Sequence, residues 1–156
     1  MPEVETTVHA DDPAKILPVL EKELEDFRTE AHRMLNGEWD EIQFIGYRLK
    51  QGVYGQRQPN VQMIRVKLPF GGVTPEQMEA FAEVAERFAP LRKGHITTRQ
   101  NIQYHHVPLA MAAEALFVLG KAGLSTREAC GNTVRNVTGD PWAGIQPGEL
   151  FDPTPY

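Results

Sequence analysis

The sequence predicts an α+β domain, and three kinds of pattern near its centre carry that prediction. Residues 61–68 (VQMIRVKL) alternate with the two-residue period of a β-strand. Residues 75–89 place apolar side chains three and four positions apart, as an amphipathic helix does. Residues 95–107 (HITTRQNIQYHHV) predict a second strand region, and the mostly apolar residues 110–121 predict a further helix. Strands and helices therefore alternate along the middle of the chain.

Capping and helix-breaking residues mark the ends of the two central helices. Thr74 is followed by Pro75 at the first helical position and by Gln77 at the third, which is the pattern of a capping box. Pro108 and Gly123 bound the second of these helices. The resulting order of strand, helix, strand or hairpin, helix and strand is that of a ferredoxin-like split βαβ unit.

Two flanking regions complete the predicted organisation. A helical pattern begins at Asp11–Pro13 and stops at Asn36–Gly37, and its Glu and Lys content predicts an amphipathic arm rather than a core element. Short strands are also predicted at 44–50 (FIGYRLK) and at 133–138. We therefore divide the chain into an N-terminal helical extension (1–40), a ferredoxin-like unit (41–125) and the beginning of a further domain (126–156).

Composition and charge argue against several classes of protein. The formal net charge of −5 over 156 residues disfavours general nucleic-acid binding, which usually requires a basic excess. No apolar run approaches the length of a membrane span, and the acidic start lacks the features of a signal peptide. The single cysteine, Cys130, rules out an internal disulfide and predicts a cytoplasmic protein. It also means that this chain alone cannot ligate an iron–sulfur cluster, which needs about four thiolates.

Polar side chains recur at every second position of the predicted strand 95–107. On a strand these residues would share one face of hydrogen-bonding groups. They are Thr97, Arg99, Asn101, Gln103 and His105. Because guanidinium groups bind carboxylates bidentately, such a face would suit a ligand with several carboxylates. A solvated strand face or an internal hydrogen-bonded layer is the alternative that the alternation leaves open.

Two further clusters could bind an anion. Arg65 interrupts an otherwise apolar strand, so its charge must either reach water at the edge of the sheet or meet an anion. Arg135 lies in a short Val-flanked segment that follows Cys130 and Gly131. A lone cysteine is most often a small buried hydrophobe, and that is the default interpretation of Cys130.

Three stretches of the sequence together resemble the N-terminal half of the siroheme-dependent nitrite and sulfite reductases. They are MIRVKLPFGG (63–72), HITTRQNIQYHHV (95–107) and EACGNTVRNVTGDPWAG (128–144), which occur in the order of that family. The resemblance covers roughly residues 44–144. It implies six-electron reduction of nitrite to ammonia or of sulfite to sulfide, with electrons from ferredoxin or a flavoprotein. These electrons would pass through a 4Fe–4S cluster to a siroheme whose iron binds the anion.

The resemblance also implies roles for individual residues. Arg65 and Arg135 match the arginines that face the substrate, and Arg135 is also expected to contact the siroheme. The remaining siroheme-carboxylate contacts are expected from Thr97, Arg99, Asn101, Gln103 and His105. Tyr54 and Cys130 match a tyrosine and a cysteine that are covalently joined in some members of the family.

Departures from the family pattern limit what this chain is expected to do. His95 stands where several relatives have another arginine. The cysteines that ligate the cluster and two active-site lysines have no counterpart in these 156 residues. We therefore expect a missing C-terminal half or a partner subunit, and we do not expect the chain alone to be catalytically competent. The alternative is a non-catalytic ferredoxin-like module that binds a tetrapyrrole or a partner chain. An RNA-binding module of the same fold is disfavoured by the acidic charge.

Overall fold

The computed structural model describes residues 18–152, which form helices and one antiparallel sheet. In this part of the chain the sheet has four strands in the order β1-β2-β4-β3. The elements are α1 (Pro18–Leu35), α2 (Glu41–Lys50), β1 (Val53–Gly55), β2 (Val61–Val66), a 3-10 turn (Pro69–Gly71), α3 (Pro75–Arg87), β3 (His95–Ile96), β4 (Ile102–Pro108) and α4 (Leu109–Lys121). The predicted α+β class is confirmed. None of the helices within 18–152 is long and apolar enough to cross a membrane.

The hydrophobic core lies between one face of the sheet and the helices. Helix α4 packs against β2 and β4, and α1 and α3 pack against α4. Ile64, Val66 and Tyr104 point into this core and are fully buried. The Tyr104 hydroxyl donates a hydrogen bond of 3.0 Å to the backbone oxygen of Phe81 and so ties β4 to α3. Because strand side chains alternate, the residues between these core positions face away from the helices.

Helix α1 is a core element, so the prediction of a peripheral arm is wrong. Leu24, Phe27 and Ala31 follow one another at helical spacing, are buried, and belong to the same apolar cluster as α4. The Glu and Lys residues that suggested an arm occupy the other faces of the helix. A narrow stripe of apolar residues is sufficient to bury a helix whose average composition is polar.

The end of α1 agrees with the prediction from Asn36–Gly37. Gly37 adopts a φ of 74°, and its N–H donates to the Met34 oxygen at 3.1 Å. The Glu38 N–H donates to the Arg33 oxygen at 2.9 Å, which completes a Schellman motif. The predicted start at Asp11–Pro13 lies outside the described residues.

The predicted strand at 44–50 is instead the C-terminal part of helix α2. Asp40 caps this helix, since its Oδ1 accepts a hydrogen bond of 3.0 Å from the Gln43 N–H. Phe44 and Tyr47 lie one helical turn apart, and the Tyr47 ring stacks on Phe27 with centroids 6.2 Å apart. These aromatic residues favour a strand when read alone. The cap and the packing against α1 decide in favour of the helix.

The predicted strand at 95–107 is broken into a hairpin. Strands β3 and β4 pair antiparallel, and residues 97–101 form the turn between them. The Thr97 N–H donates to the Asn101 oxygen at 2.8 Å, and Gln100 adopts a φ of 58°. Thr97, Arg99 and Asn101 therefore do not share a strand face with Gln103. The predicted strand at 133–138 forms no ladder in the described structure and has no regular secondary structure.

The burial of α1 can be tested with a truncated core side chain. We expect Phe27→Ala to lower the free energy of unfolding by about 3–5 kcal/mol, because it opens a cavity between α1 and α2. Ile42→Ala on α2 is the control, since Ile42 is 79% exposed, and it should change that free energy by less than about 0.5 kcal/mol. Urea denaturation followed by circular dichroism measures both. Equal, small effects of the two substitutions would restore the interpretation of α1 as an arm.

Candidate functional site

A cleft of about 200 Å³ opens on the side of the sheet that faces away from the helices. Three parts of the chain form it: the second half of β2 with its extension, residues 97–103 of the β3–β4 hairpin, and the segment 128–136. These parts belong to the three stretches on which the resemblance rests. Six of the predicted site residues line the cleft, namely Arg65, Thr97, Arg99, Asn101, Gln103 and Arg135.

Two buried asparagines join the three parts at Leu68. The Leu68 N–H donates to the Asn101 Oδ1 at 3.1 Å, and the Leu68 oxygen accepts from the Asn136 Nδ2 at 2.6 Å. Asn136 Nδ2 also donates to the Arg99 oxygen at 3.0 Å. Asn101 and Asn136 are only 6% and 5% exposed. The end of β2, the hairpin and the segment 128–136 are therefore held together by side chain–backbone hydrogen bonds.

A second set of contacts fixes the chain just after Asn136. The Gln100 amide donates to the Gly139 oxygen at 2.7 Å and accepts from the Gly139 N–H at 2.9 Å. The Phe70 N–H donates to the Val137 oxygen at 2.8 Å. A side chain at Gly139 would collide with the Phe70 ring, so this close approach requires glycine.

Arg65 is held rigidly in the wall of the cleft. It lies on β2, which is an inner strand, so the interpretation that its charge escapes at the edge of the sheet is wrong. The Gln103 amide oxygen, in the orientation that the guanidinium requires, accepts from Nη2 at 2.6 Å and from Nε at 2.7 Å. Nη1 donates to the Ala129 oxygen at 3.1 Å. Within residues 18–152 these bonds use three of the five guanidinium N–H groups, and the others belong to Nη1 and Nη2.

The cleft is positively charged although the whole chain is acidic. Arg65, Lys67, Arg99 and Arg135 line it, and Glu128 is the acidic residue among its lining groups in the described chain. The Lys67 ammonium donates to the Val134 oxygen at 3.1 Å, which draws the segment 128–136 towards β2. Arg99 and Arg135 are exposed at the mouth. This arrangement is suited to anionic groups, above all carboxylates and oxyanions.

His105 lies beside the cleft and not in its lining. Its ring is 6.1 Å from that of His95 and 6.3 Å from that of His106, measured between centroids. Burial is the main reason that the pKa of His105 lies below its ordinary value. The neighbouring charges of His106, His95 and Arg65 lower this pKa further. His105 is therefore a neutral imidazole near neutral pH.

Tyr54 and Cys130 also lie outside the cleft lining. Tyr54 is on the edge strand β1 and is 51% exposed, whereas Cys130 is 3% exposed. Burial raises the pKa of the Cys130 thiol, and the Arg65 charge opposes that rise. Cys130 is the buried apolar residue that its isolation predicted. The covalent link between Tyr54 and Cys130 stays a prediction.

Asn136 and Gln100 hold the parts of the site together, and the sequence assigned neither of them a role. Each acts through hydrogen bonds to backbone groups that are far away in sequence, with separations of 37 and 39 positions. Periodicity describes neighbours along one element, so it contains no signal for such contacts. Their positions inside the quoted stretches 95–107 and 128–144 were the available hint.

Comparisons with known proteins identify the central part of this fold. Residues 54–120 match the family model of the nitrite/sulfite reductase ferredoxin-like half domain. The resemblance drawn from the sequence is therefore confirmed, and residues 54–120 are the part that matches this half domain.

Several individual proteins are similar to the chain. It is 34% identical to the chloroplastic ferredoxin–nitrite reductase of Arabidopsis thaliana over 140 residues, which is 88% of this chain and 24% of that protein. A sulfite reductase (ferredoxin) of Mycobacterium tuberculosis is 35% identical over 92 residues, or 59% of this chain and 16% of that protein. The solved structure of the Mycobacterium tuberculosis NirA protein superimposes with a TM-score of 0.69 at 27% identity, covering 92% of this chain and 30% of that one. The chain thus spans about a quarter or less of the length of these curated relatives.

The lowered pKa of His105 has a measurable consequence for stability. In the unfolded chain this histidine binds a proton at its ordinary pKa of about 6.5, more tightly than in the folded chain. The free energy of unfolding should therefore fall as the pH drops below about 6.5. Nuclear magnetic resonance titration of the imidazole should give a pKa below that value. Arg65→Gln removes a positive charge and should raise it. A His105 pKa at or above about 6.5 would contradict the lowered pKa assigned to this residue.

The buried thiol of Cys130 should react slowly. We expect its reaction with a disulfide reagent at pH 8 to be at least about tenfold slower in the folded chain than in urea, since burial limits access and disfavours the thiolate. Absorbance of the released thiolate measures both rates. An intact mass two hydrogens below the sequence mass, mapped to Tyr54 and Cys130, would show the cross-link instead.

Proposed function

We propose that this chain forms one wall of the active site of a nitrite or sulfite reductase. In this proposal its cleft binds carboxylates of siroheme and the anionic substrate. The observation that carries it is the convergence of Arg65, Lys67, Arg99 and Arg135 at the junction of three separate stretches. Similarity to relatives named nitrite reductase and sulfite reductase supports the same class of reaction.

The residues of the cleft fit a polycarboxylate better than they fit a metal. Guanidinium and amide groups dominate the lining, and these bind carboxylates and oxyanions. The volume of about 200 Å³ is below the range of about 300–1,000 Å³ for drug-sized ligands, so carboxylates would enter the cleft while a tetrapyrrole ring stayed outside it. When bound, siroheme would supply an iron that coordinates the anion and passes electrons to it.

The iron–sulfur cluster does not fit the residues of this chain. The sequence contains one cysteine, and within residues 18–152 no group of three or more potential metal ligands comes together. The thiolates that ligate the cluster would have to come from protein outside these 156 residues, either a C-terminal half or a partner subunit. We therefore propose that the chain alone is not catalytically competent.

The two arginines proposed as catalytic would act by binding and by charge. Arg65 is already oriented by Gln103 and the Ala129 oxygen, so little reorganisation is needed when its remaining N–H groups meet an anion. Arg135 would approach from the other side of the cleft. Because a guanidinium does not lose its proton in proteins, both residues would donate hydrogen bonds to the substrate oxygens and would not protonate them.

The remaining proposed contacts concern the cofactor and the partners. Thr97, Arg99, Asn101, Gln103, His105 and Arg135 are proposed as siroheme contacts. The bonds already made by Asn101 and Gln103 engage their oxygens, so their amide nitrogens would face a carboxylate. The names of the relatives point to ferredoxin as the electron donor, with a flavoprotein as the other candidate. A cytoplasmic location is proposed from the single cysteine.

Binding of a polycarboxylate tetrapyrrole tests this function. Uroporphyrin, a metal-free octacarboxylate, is titrated into the 156-residue chain and followed by absorbance and fluorescence. We expect Arg99→Gln with Arg135→Gln to weaken binding about tenfold or more, because charge-assisted hydrogen bonds are lost. Arg33→Gln with Arg87→Gln, which removes the same charge from α1 and α3, is the matched control and should have little effect.

Either of two results would contradict the proposal. The cleft is not a carboxylate site if the wild-type chain does not bind uroporphyrin, or if the control pair weakens binding as much as the cleft pair. A siroheme absorption band with multi-electron reduction of nitrite by this chain alone would contradict its proposed dependence on further protein.

A further inference from the structure

We infer that Asn136 is the positioning residue of the cleft, holding Arg99 and Arg135 in place for an anionic ligand. The inference rests on the proposed carboxylate-binding function. It assigns to one buried amide the direct link between the two parts of the backbone that carry these cations.

The hydrogen bonds of Asn136 connect the two backbone segments that carry Arg99 and Arg135. Its Nδ2 donates to the backbone oxygen of Arg99 at 3.0 Å, across 37 positions of sequence, and Arg135 is its covalent neighbour. The same nitrogen donates to the Leu68 oxygen at 2.6 Å, so the pair is anchored to the end of β2. Both N–H groups of this amide are thus used to fix the backbone that carries Arg99 and Arg135.

The carbonyl end of the Asn136 side chain is available for a different role. Its Oδ1 is buried and has no hydrogen-bond partner in the described part of the chain, and Asn136 lines the cleft. An amide that served structure alone would normally have both ends paired. An acceptor in the wall of a cationic cleft can take a guanidinium N–H from Arg99 or Arg135 once a ligand brings those side chains inward.

Arg65 provides the internal contrast. Its side chain is held by Gln103 and by the Ala129 oxygen, and neither bond involves Asn136. Arg99 and Arg135 are exposed, and their placement depends on the backbone beneath them. Loss of Asn136 should therefore loosen these two cations and leave Arg65 in place. The ligand would then have to order that backbone on binding, which weakens affinity.

A double-mutant cycle on the full 156-residue chain separates positioning from stability. We expect Asn136→Ala to weaken uroporphyrin binding about tenfold in the wild-type background. In the background of Arg99→Gln with Arg135→Gln it should weaken binding less than about twofold, because the groups that it positions are gone. Tyr104→Phe, which removes a buried hydrogen bond on the helical side of the sheet, is the stability control and should change binding less than about twofold in both backgrounds.

The same factor of loss in both backgrounds would overturn the inference. Unchanged uroporphyrin binding by Asn136→Ala would also overturn it, provided that the melting temperature of this variant falls as much as that of Tyr104→Phe. If the alanine variant does not fold, Asn136→Ser, which keeps one donor, is carried through the same cycle with a smaller loss expected in the same direction.

A measurement without ligand keeps this inference separate from the proposed function. Backbone 15N relaxation of the free chain should show lower order parameters at 97–101 and 133–137 in Asn136→Ala, with β2 unchanged. Unchanged order parameters at 97–101 and 133–137 would overturn the positioning role whatever the chain binds. Failure of the wild-type chain to bind uroporphyrin, with the relaxation change present, would contradict the proposed function alone.

Discussion

The cleft depends on two hydrogen bonds between asparagine side chains and the backbone of Leu68. This residue follows β2, where the N–H and the oxygen no longer have a neighbouring strand, and buried backbone groups must find partners. Asn101 accepts from the N–H and Asn136 donates to the oxygen. One residue thus joins the hairpin and the distant segment 128–136. Without Asn101, the buried Leu68 N–H would lose its partner at a cost of about 1–3 kcal/mol, whereas the Leu68 oxygen would keep its 3.0 Å bond from the Gly71 N–H after loss of Asn136.

The charges of the cleft differ in how tightly they are held. Arg65 is fixed by Gln103 and by a backbone oxygen, while Arg99 and Arg135 stand exposed at the mouth. A guanidinium with a hydrogen-bonded side chain is suited to a small anion whose position must be exact, and guanidinium groups exposed at the mouth can adapt to larger carboxylate-bearing groups. The net charge of −5 conceals this local excess, because the acidic residues are concentrated elsewhere, for example on α1.

Local signals predicted the elements that local contacts stabilise. The capping box at Thr74 and Gln77 is present, with bonds of 3.0 and 3.3 Å, and β2 follows its alternation. Predictions failed where long-range contacts decide. The packing of Phe27 and Tyr47 makes α1 and α2 core helices, and Gln100 turns the hairpin in a backbone conformation that more often marks glycine. Alternation along 95–107 singled out the polar residues of the hairpin but placed them on a strand face that does not exist, and the family resemblance assigned their roles.

The tight contact of Gly139 with Phe70 also bears on how the protein assembles. The backbone around Gly139 finds its partners on Gln100 and Phe70, so it can dock only after the hairpin and the turn that follows β2 are in place. We therefore expect the segment 128–136, which carries Arg135, to be the last part of the cleft to fold. The four cations of the cleft would therefore come together only once that segment has docked.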